Sequence, residues 1–394
     1  MSSSVTESLM GCGSFEIDLD PATPRSIVEG LKTFSTISVT AGRDSSLDEA
    51  AVLDLAMFSG VLRRRSNNLC TISGPSVLAW IGDEDGKGPT LIGTYDGSDP
   101  GGANALIDDI FNDGAFAKFR TNNITLGTNG LPTTTLWAAT DTIWPLDVLR
   151  PWLDNICQFT GWQYRMNPDR TFDIAEAGEL FTTTPTLLVV PSWLAESPTD
   201  VSYRVVAGTI RATNSNDNYA TGVRLNATPY PGSADVASGA PSMPGDPGGT
   251  DAVINKLLDS SNDFDSFAEG DAAADVELLE RFSTENLIDV TLPLDDPKAH
   301  VEPGDSIYVY DPLQGLQLPT ITQVFALGQV MFPIVVDVKE MTWPVCEGMG
   351  VYAIQNDTGD VVDLTDFVQW GTGDTSLRVG ARWPTLAEVV NGRN

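Results

Sequence analysis

Histidine is nearly missing from this chain: among 394 residues there is one, His300, just before the turn Glu302-Pro303-Gly304-Asp305. A Ser-His-Asp relay would have to run through it, and no serine sits in a GxSxG elbow. Cysteine is scarce as well. Cys12, Cys70, Cys157 and Cys346 are widely scattered and form no CxxC pair. A zinc site built on histidine or paired cysteines is therefore excluded, and the thiols are expected to be reduced, mostly buried small hydrophobes. Long apolar runs are lacking. The longest, residues 187–191 and 330–336, fall far short of the roughly 20 residues that span a bilayer. The opening residues carry neither the basic nor the apolar stretch of a cleaved signal, so synthesis and assembly in a cytoplasm are expected. The last shortage is of basic side chains. Lys and Arg total 22 against 54 Asp and Glu, a formal net charge of -32. Such a surface repels phosphate, which argues against sequence-specific reading or wrapping of nucleic acid.

What the chain does contain favours strands and turns. Gly (36) and Pro (25) are frequent and hydrophobic residues make up 41%, a composition that suits a mainly β protein with α+β insertions. The length allows two to four domains. Residues 15–19 and 36–40 alternate apolar and polar as half-buried strands do. Residues 52–62 are expected to be a strand ending at Arg63-Arg64-Arg65, with a turn at Asn67-Asn68 and another strand over 69–72. A Gly74-Pro75 turn, an apolar helical turn and a tight acidic loop over 83–88 should follow. Together these form a barrel-like sheet within an expected N-terminal domain, 1–140, with short helices such as 104–111.

The second expected domain, 141–228, opens with the strongest helix signal. Pro145 and Asp147 fit a first turn, and Leu146, Leu149, Leu153, Ile156 and Cys157 share one face before Gly161. A hairpin over 162–174 turns at Asn167-Pro168-Asp169-Arg170. Residues 201–212 and 219–227 read as a further strand pair. A Pro/Gly-rich loop or linker is expected over 229–250. The last domain, 251–394, should begin with helices over 251–258 and 272–281. It continues as a β-barrel-like set of strands over 288–292, 306–310, 321–325, 330–339 and 352–355.

No catalytic residue, cofactor site or metal site is assigned. Asp357, Asp360, Asp363 and Asp366 recur at every third position in an oxygen-rich stretch with a glycine. Asp357, Asp360 and Asp363 are thus weak metal candidates, but the spacing fits no EF-hand and reads more simply as a hairpin turn. Gly348-Met349-Gly350-Val351-Tyr352-Ala353 fits GxGxxA without the strand-to-helix context that dinucleotide binding needs. With so many acids, any carboxylate pair for glycan hydrolysis is unspecific. Arg63, Arg64 and Arg65 form the one basic cluster. In so acidic a chain they are the candidate contact to a neighbouring acidic subunit. Trp80, Trp152 and Trp162 sit in apolar patterns and are expected in cores rather than in a sugar-binding groove.

Three stretches carry a family resemblance. They are Leu69 to Gly88; Leu146 to Ile174, with its turn Asp169-Arg170; and Val290-Thr291-Leu292-Pro293-Leu294 followed by Val301-Glu302-Pro303-Gly304-Asp305-Ser306. In this order they resemble the tail-tip hub, or baseplate-core (minor tail), proteins of long-tailed bacteriophages, closest to those infecting actinobacteria. The resemblance implies two related β-barrel domains with helix-hairpin subdomains. It implies a homotrimer whose barrels form a pseudo-six-fold ring lining the DNA-ejection channel. The implied partners are the distal tail ring, the tail tube, the tape measure and the tip fibre or receptor-binding proteins, and the implied location is the virion tail tip. The chain stops at Asn394 without a fibre or lysozyme-like extension, so no enzymatic activity is expected. The competing readings are a tail-associated glycan hydrolase and a carbohydrate-binding adhesion module.

Overall fold

In a computed structural model of the chain, the described residues are 3–43, 46–65, 70–82, 102–112, 124–131, 133, 149–150, 153–154, 157, 162–175, 179–182, 184–185, 187–194, 204–215, 220, 222–226, 229–235, 255–259, 266–268, 270–271, 274–275, 278, 285–293, 301–314, 316, 324–326, 329–331 and 334–381. The protein is mainly β. In chain order the first elements are β1 (Ser4–Ser8), β2 (Gly11–Asp18), α1 (Arg25–Gly30), β3 (Thr36–Thr40), α2 (Glu49–Asp54), β4 (Ala56–Val61), β5 (Arg64–Arg65) and β6 (Thr71–Pro75). A 3-10 turn, Val77–Trp80, follows, then α3 (Gly102–Asn112), β7 (Thr125–Gly130), β8 (Gln163–Met166) and β9 (Thr171–Ala175). The middle continues with β10 (Leu188–Pro191), β11 (Arg204–Ala207), β12 (Thr209–Ser215), β13 (Gly222–Asn226), β14 (Gly232–Asp235) and β15 (Asn255–Asp259). The last group is β16 (Glu285–Leu292), β17 (Ser306–Val309), β18 (Val324–Ala326), β19 (Gln329–Met331), β20 (Ile334–Pro344), β21 (Gly350–Ile354), β22 (Val361–Asp363) and β23 (Thr375–Ala381).

The long strand β20 organises the sheet. One of its edges takes β17 and then β1, and the other takes β23. From β23 the pairing passes to β16 and then to β12. From β17 it passes to β10 and then to β11. Only Gly208 separates β11 from β12, and its N–H donates to the Thr291 carbonyl at 2.8 Å. The pairing circuit therefore returns to its start across one glycine. On the other side, β1 leads through β2 and β6 to β5. A four-stranded sheet, β22-β21-β3-β4, lies alongside. Inward-facing Val5, Phe15, Ile37, Phe58, Val338, Val351 and Val379 belong to one core. A second core joins α3, β7, β8, β9 and the helical residues 149–150, 153–154 and 157 through Ile107, Phe111, Leu149, Leu153, Tyr164 and Phe172. There Phe111 stacks on Phe172 at 4.9 Å, an arrangement worth about 0.5–1.5 kcal/mol beyond burial.

Several expectations are corrected. Residues 52–54 are helical, because α2 turns Val52 onto Tyr352 and Ile354 in a small buried cluster. Gly74 and Pro75 lie in β6, not in a turn. A Cβ at Gly74 would stand 1.8 Å from the Val61 carbonyl oxygen, so glycine lets β4 cross closely, and Pro75 ends the strand where its missing N–H costs nothing. The strand pair over 201–212 and 219–227 does not form. β12 runs on through Ser215 to pair with β16, while β13 joins β14 and β15 in a separate sheet. Residues 255–258 are strand, not helix, a short run whose periodicity does not separate the two. Part of the expected linker, Gly232–Asp235, is β14, and 236–250 lie outside the described residues. The GxGxxA stretch enters β21 and no helix. The sheets also run across the expected boundaries: β1 pairs with β20 and β3 with β21, so residues of 1–140 and 251–394 share one core. The expected helix and hairpin over 149–174 are present where described, as is α3. None of the four cysteines is in a disulfide, and only Cys157 is buried.

Candidate functional site

The predicted subunit-contact arginines sit at a sheet edge, where β5 is the terminal strand. Arg64 and Arg65 are exposed and Arg63 is half-buried. Arg65 donates to the Val28 carbonyl at 3.0 Å. The Arg63 guanidinium lies 4.9 Å over the Phe34 ring, a cation–π contact. Phe34 is 46% exposed and tilts against Trp80, with ring centroids 6.1 Å apart. Its left-handed backbone (φ 73°) is held by hydrogen bonds of its N–H to Leu62 and of its carbonyl from Asn356. With Thr33, Thr71 and Ser73 the three arginines line one shallow groove. None of the three makes an ion pair among the described residues.

The predicted metal candidates are not brought together. Asp357 pairs with Lys32 at 2.6 Å, and Asp363 shares Arg43 with Asp366. Asp360 accepts from Thr358 within the turn. Among the described residues no group of three or more His, Cys, Asp or Glu is placed to hold a metal. His300, Trp152 and the loop 83–88 lie outside the described residues. Trp162 is buried in the second core and Trp80 packs against it, whereas Trp193 is exposed.

Two clamps join the second core to the sheets. Arg170, at the tip of the β8–β9 hairpin, has a left-handed backbone (φ 71°) and no exposed surface. It donates to Glu49 Oε1 at 2.8 Å, to Thr36 Oγ1 at 3.0 Å and to Asn356 Oδ1 at 3.1 Å. Burial pulls its pKa down and Glu49 pushes it up; arginine keeps its charge at any ordinary pH. At the second clamp, Arg150 donates to the Met10 carbonyl at 3.4 Å, and the Tyr164 hydroxyl lies 3.2 Å from the same oxygen. Arg150 also reaches Cys12 Sγ at 2.8 Å, and Tyr164 hydrogen-bonds Asp154.

Between β1, β4, β20 and the β8–β9 hairpin lies a cavity of about 700 Å³. Its wall carries Met10, Met57, Met166, Met341 and Met349, five of the protein's eight methionines. Glu7 also lines it. A β-bulge lies between Thr6 and Ser8, and opposite it Gly13 is so tight that a Cβ would stand 2.2 Å from the Thr6 carbonyl oxygen. The Trp343 indole N–H donates to Glu7 Oε2 at 3.1 Å. Burial, with a smaller push from Glu302, outweighs that hydrogen bond and raises the Glu7 carboxyl from 4.5 to about 7. At the mouth, Glu302 is 67% exposed and pairs with Arg165 at 2.9 Å. Sequence reasoning did not single out Glu7, although the signal was there. In Ser4-Val5-Thr6-Glu7 the alternation puts Glu7 on the side of buried Val5.

No family model matches the sequence, and no curated protein does. Solved structures do match. The tail protein from Neisseria meningitidis MC58 is 13% identical, with 97% of this chain and 92% of that chain covered at a TM-score of 0.53. The 43 kDa tail protein of prophage MuSo2 from Shewanella oneidensis is 12% identical, with 96% and 93% covered at a TM-score of 0.56. The shared property is the fold, over nearly the whole length of each chain.

Proposed function

We propose that this chain is a structural component of a bacteriophage tail and serves as the hub of the tail tip. The observation that carries this reading is the fold match to two phage-type tail proteins over more than nine-tenths of every chain compared. We read the pairing circuit that returns across Gly208 as one barrel wall, and the path from β21 through β3, β4, β5, β6 and β2 as part of a second. Two such barrels per subunit in a homotrimer give a pseudo-six-fold ring. That ring would join the six-fold tail tube and distal tail ring to trimeric tip fibre or receptor-binding proteins, with the tape measure ending in its lumen. A net charge of -32 keeps duplex phosphates from sticking during ejection. Arg63, Arg64 and Arg65 then meet an acidic face of the neighbouring subunit. The actinobacterial affinity and assembly in a host cytoplasm belong to the same proposal.

Purified chain examined by sedimentation and by electron-microscopic class averages is expected to give three-fold rings. Reversing Arg63, Arg64 and Arg65 to Glu should yield monomers, with some loss of stability from the Arg65–Val28 and Arg63–Phe34 contacts; exposed Arg64→Glu alone should weaken the ring at an unchanged unfolding midpoint. A wild-type chain that stays monomeric at all concentrations overturns the ring.

The hydrolase reading gains one observation, the pair Glu7 and Glu302 at a cavity with the Glu7 pKa raised. Glu302, however, is neutralised by Arg165 at the exposed mouth, which leaves it a structural partner. Release of reducing sugar from purified cell wall by the isolated chain would reverse that preference.

A further inference from the structure

Several buried and half-buried acids of this junction are paired with a cation, while Asp305 is held by the Thr182 and Glu302 N–H groups. Asp173 has Arg165 at 3.3 Å, Glu49 has Arg170 at 2.8 Å, Asp154 has Arg150 at 3.7 Å and Asp337 has Lys339 at 3.8 Å. Glu7 has an indole N–H and makes no ion pair among the described residues. Among the described residues the charged groups of the cavity wall are Glu7, Arg165 and Glu302. Arg165 is already shared between Glu302 and Asp173. On the neighbouring strand β20, Glu340 pairs with Arg378 and Lys339 with Asp337, so neither is spare. Among the described residues Glu7 is thus left without a counter-ion.

We propose that this cavity binds an alkylammonium or guanidinium group carried on an apolar stem, the chemistry of a lysine or arginine side chain, with Glu7 as its counter-ion. The stem is provided for. Methionine thioethers are polarizable and adapt to an unbranched chain. Trp343, Phe58 and Phe181 also line the wall, and aromatic faces attract cations. The volume of about 700 Å³ falls within the range of ligand pockets, and exposed Glu302 marks the entrance. A chain of net charge -32 favours cationic partners at long range. An incoming cation favours the ionised carboxylate, so binding tightens as pH rises through about 7. The inference goes beyond the assembly reading and does not depend on it.

The test uses the full chain with 13C-methyl methionine, titrated with hexylammonium chloride and, separately, with 1-hexanol. At pH 8 the methyls of Met10, Met57, Met166, Met341 and Met349 should shift. Hexylammonium should bind at least tenfold more tightly than the alcohol. At pH 6 its affinity should fall roughly tenfold, following the ionised fraction of Glu7, while that of hexanol should not change. Glu7→Gln should bring hexylammonium down to the level of the alcohol. Equal affinities for the two probes, a flat pH profile, an unaltered Glu7→Gln variant or no binding at all would each overturn the proposal. Should the variant not fold, the pH arm on the wild-type chain decides. A matching response to N-acetyl-lysine amide assigns the site to a partner's side chain; a response to hexylammonium alone assigns it to a free amine.

Discussion

The β8–β9 hairpin meets the sheets at two places with opposite electrostatics. At its tip, Arg170 is buried with its counter-charge and two further acceptors in place. Along residues 165–168 of the same hairpin, Glu7 faces methionine and aromatic walls and has no ion pair among the described residues. Both are charged groups placed in the interior, where an isolated ion costs several kcal/mol. The tip resolves that cost internally and fixes the hairpin on α2, β3 and the turn at Asn356. The Glu7 cavity leaves it open, so its charge state follows pH and surroundings. Full compensation makes a joint, whereas partial compensation makes a receptor.

The comparison can be broken most sharply at the tip. Arg170→Ala removes a fully buried guanidinium bonded to Glu49, Thr36 and Asn356, so unfolding free energy should drop by about 3–5 kcal/mol. Urea unfolding measures this, and a loss below 1 kcal/mol would mean the tip is not a joint. Glu7→Gln should act in the opposite direction. The folded pKa of about 7 lies above the ordinary 4.5, so the folded state holds this proton more tightly than the unfolded chain. Stability from this group is greatest below about pH 4.5, is lost as pH rises to about 7, and is constant above. The variant should therefore gain up to about 3 kcal/mol at pH 8 and nothing at pH 4; chemical unfolding at both pH values reads the difference. The smallest effect belongs to the solvent-exposed pair. Lys32→Ala should leave the thermal midpoint unchanged, because exposed ion pairs such as Lys32–Asp357 contribute little; a clear drop would show that surface charge matters more than the comparison allows.

Much of this was legible in the chain. The hairpin was readable from Asn167-Pro168-Asp169-Arg170, because Asx-type turn chemistry is local and Asp169 does accept from Thr171. That Arg170 is buried was not readable. Its partners Thr36, Glu49 and Asn356 lie 121 to 186 residues away, and no window of local sequence contains them. β12 and β13 were misjoined for a related reason, since adjacency in sequence stood in for the distant partner β16. The arginine triplet was legible as a cluster, and its place on a sheet edge beside exposed Phe34 was not. Glu7 was legible in principle, as a charge at an inward position of an alternating strand.

The placement of β1 has a consequence for how the molecule comes into being. Its neighbours are β2, a few residues on, and β20, whose register pairs Ser4 with Pro344. During synthesis the outer edge of β1 must wait for more than three hundred residues before its mate leaves the ribosome. Until then an open hydrogen-bonding edge is offered to any passing strand, the circumstance in which long-range β topologies fold slowly and aggregate.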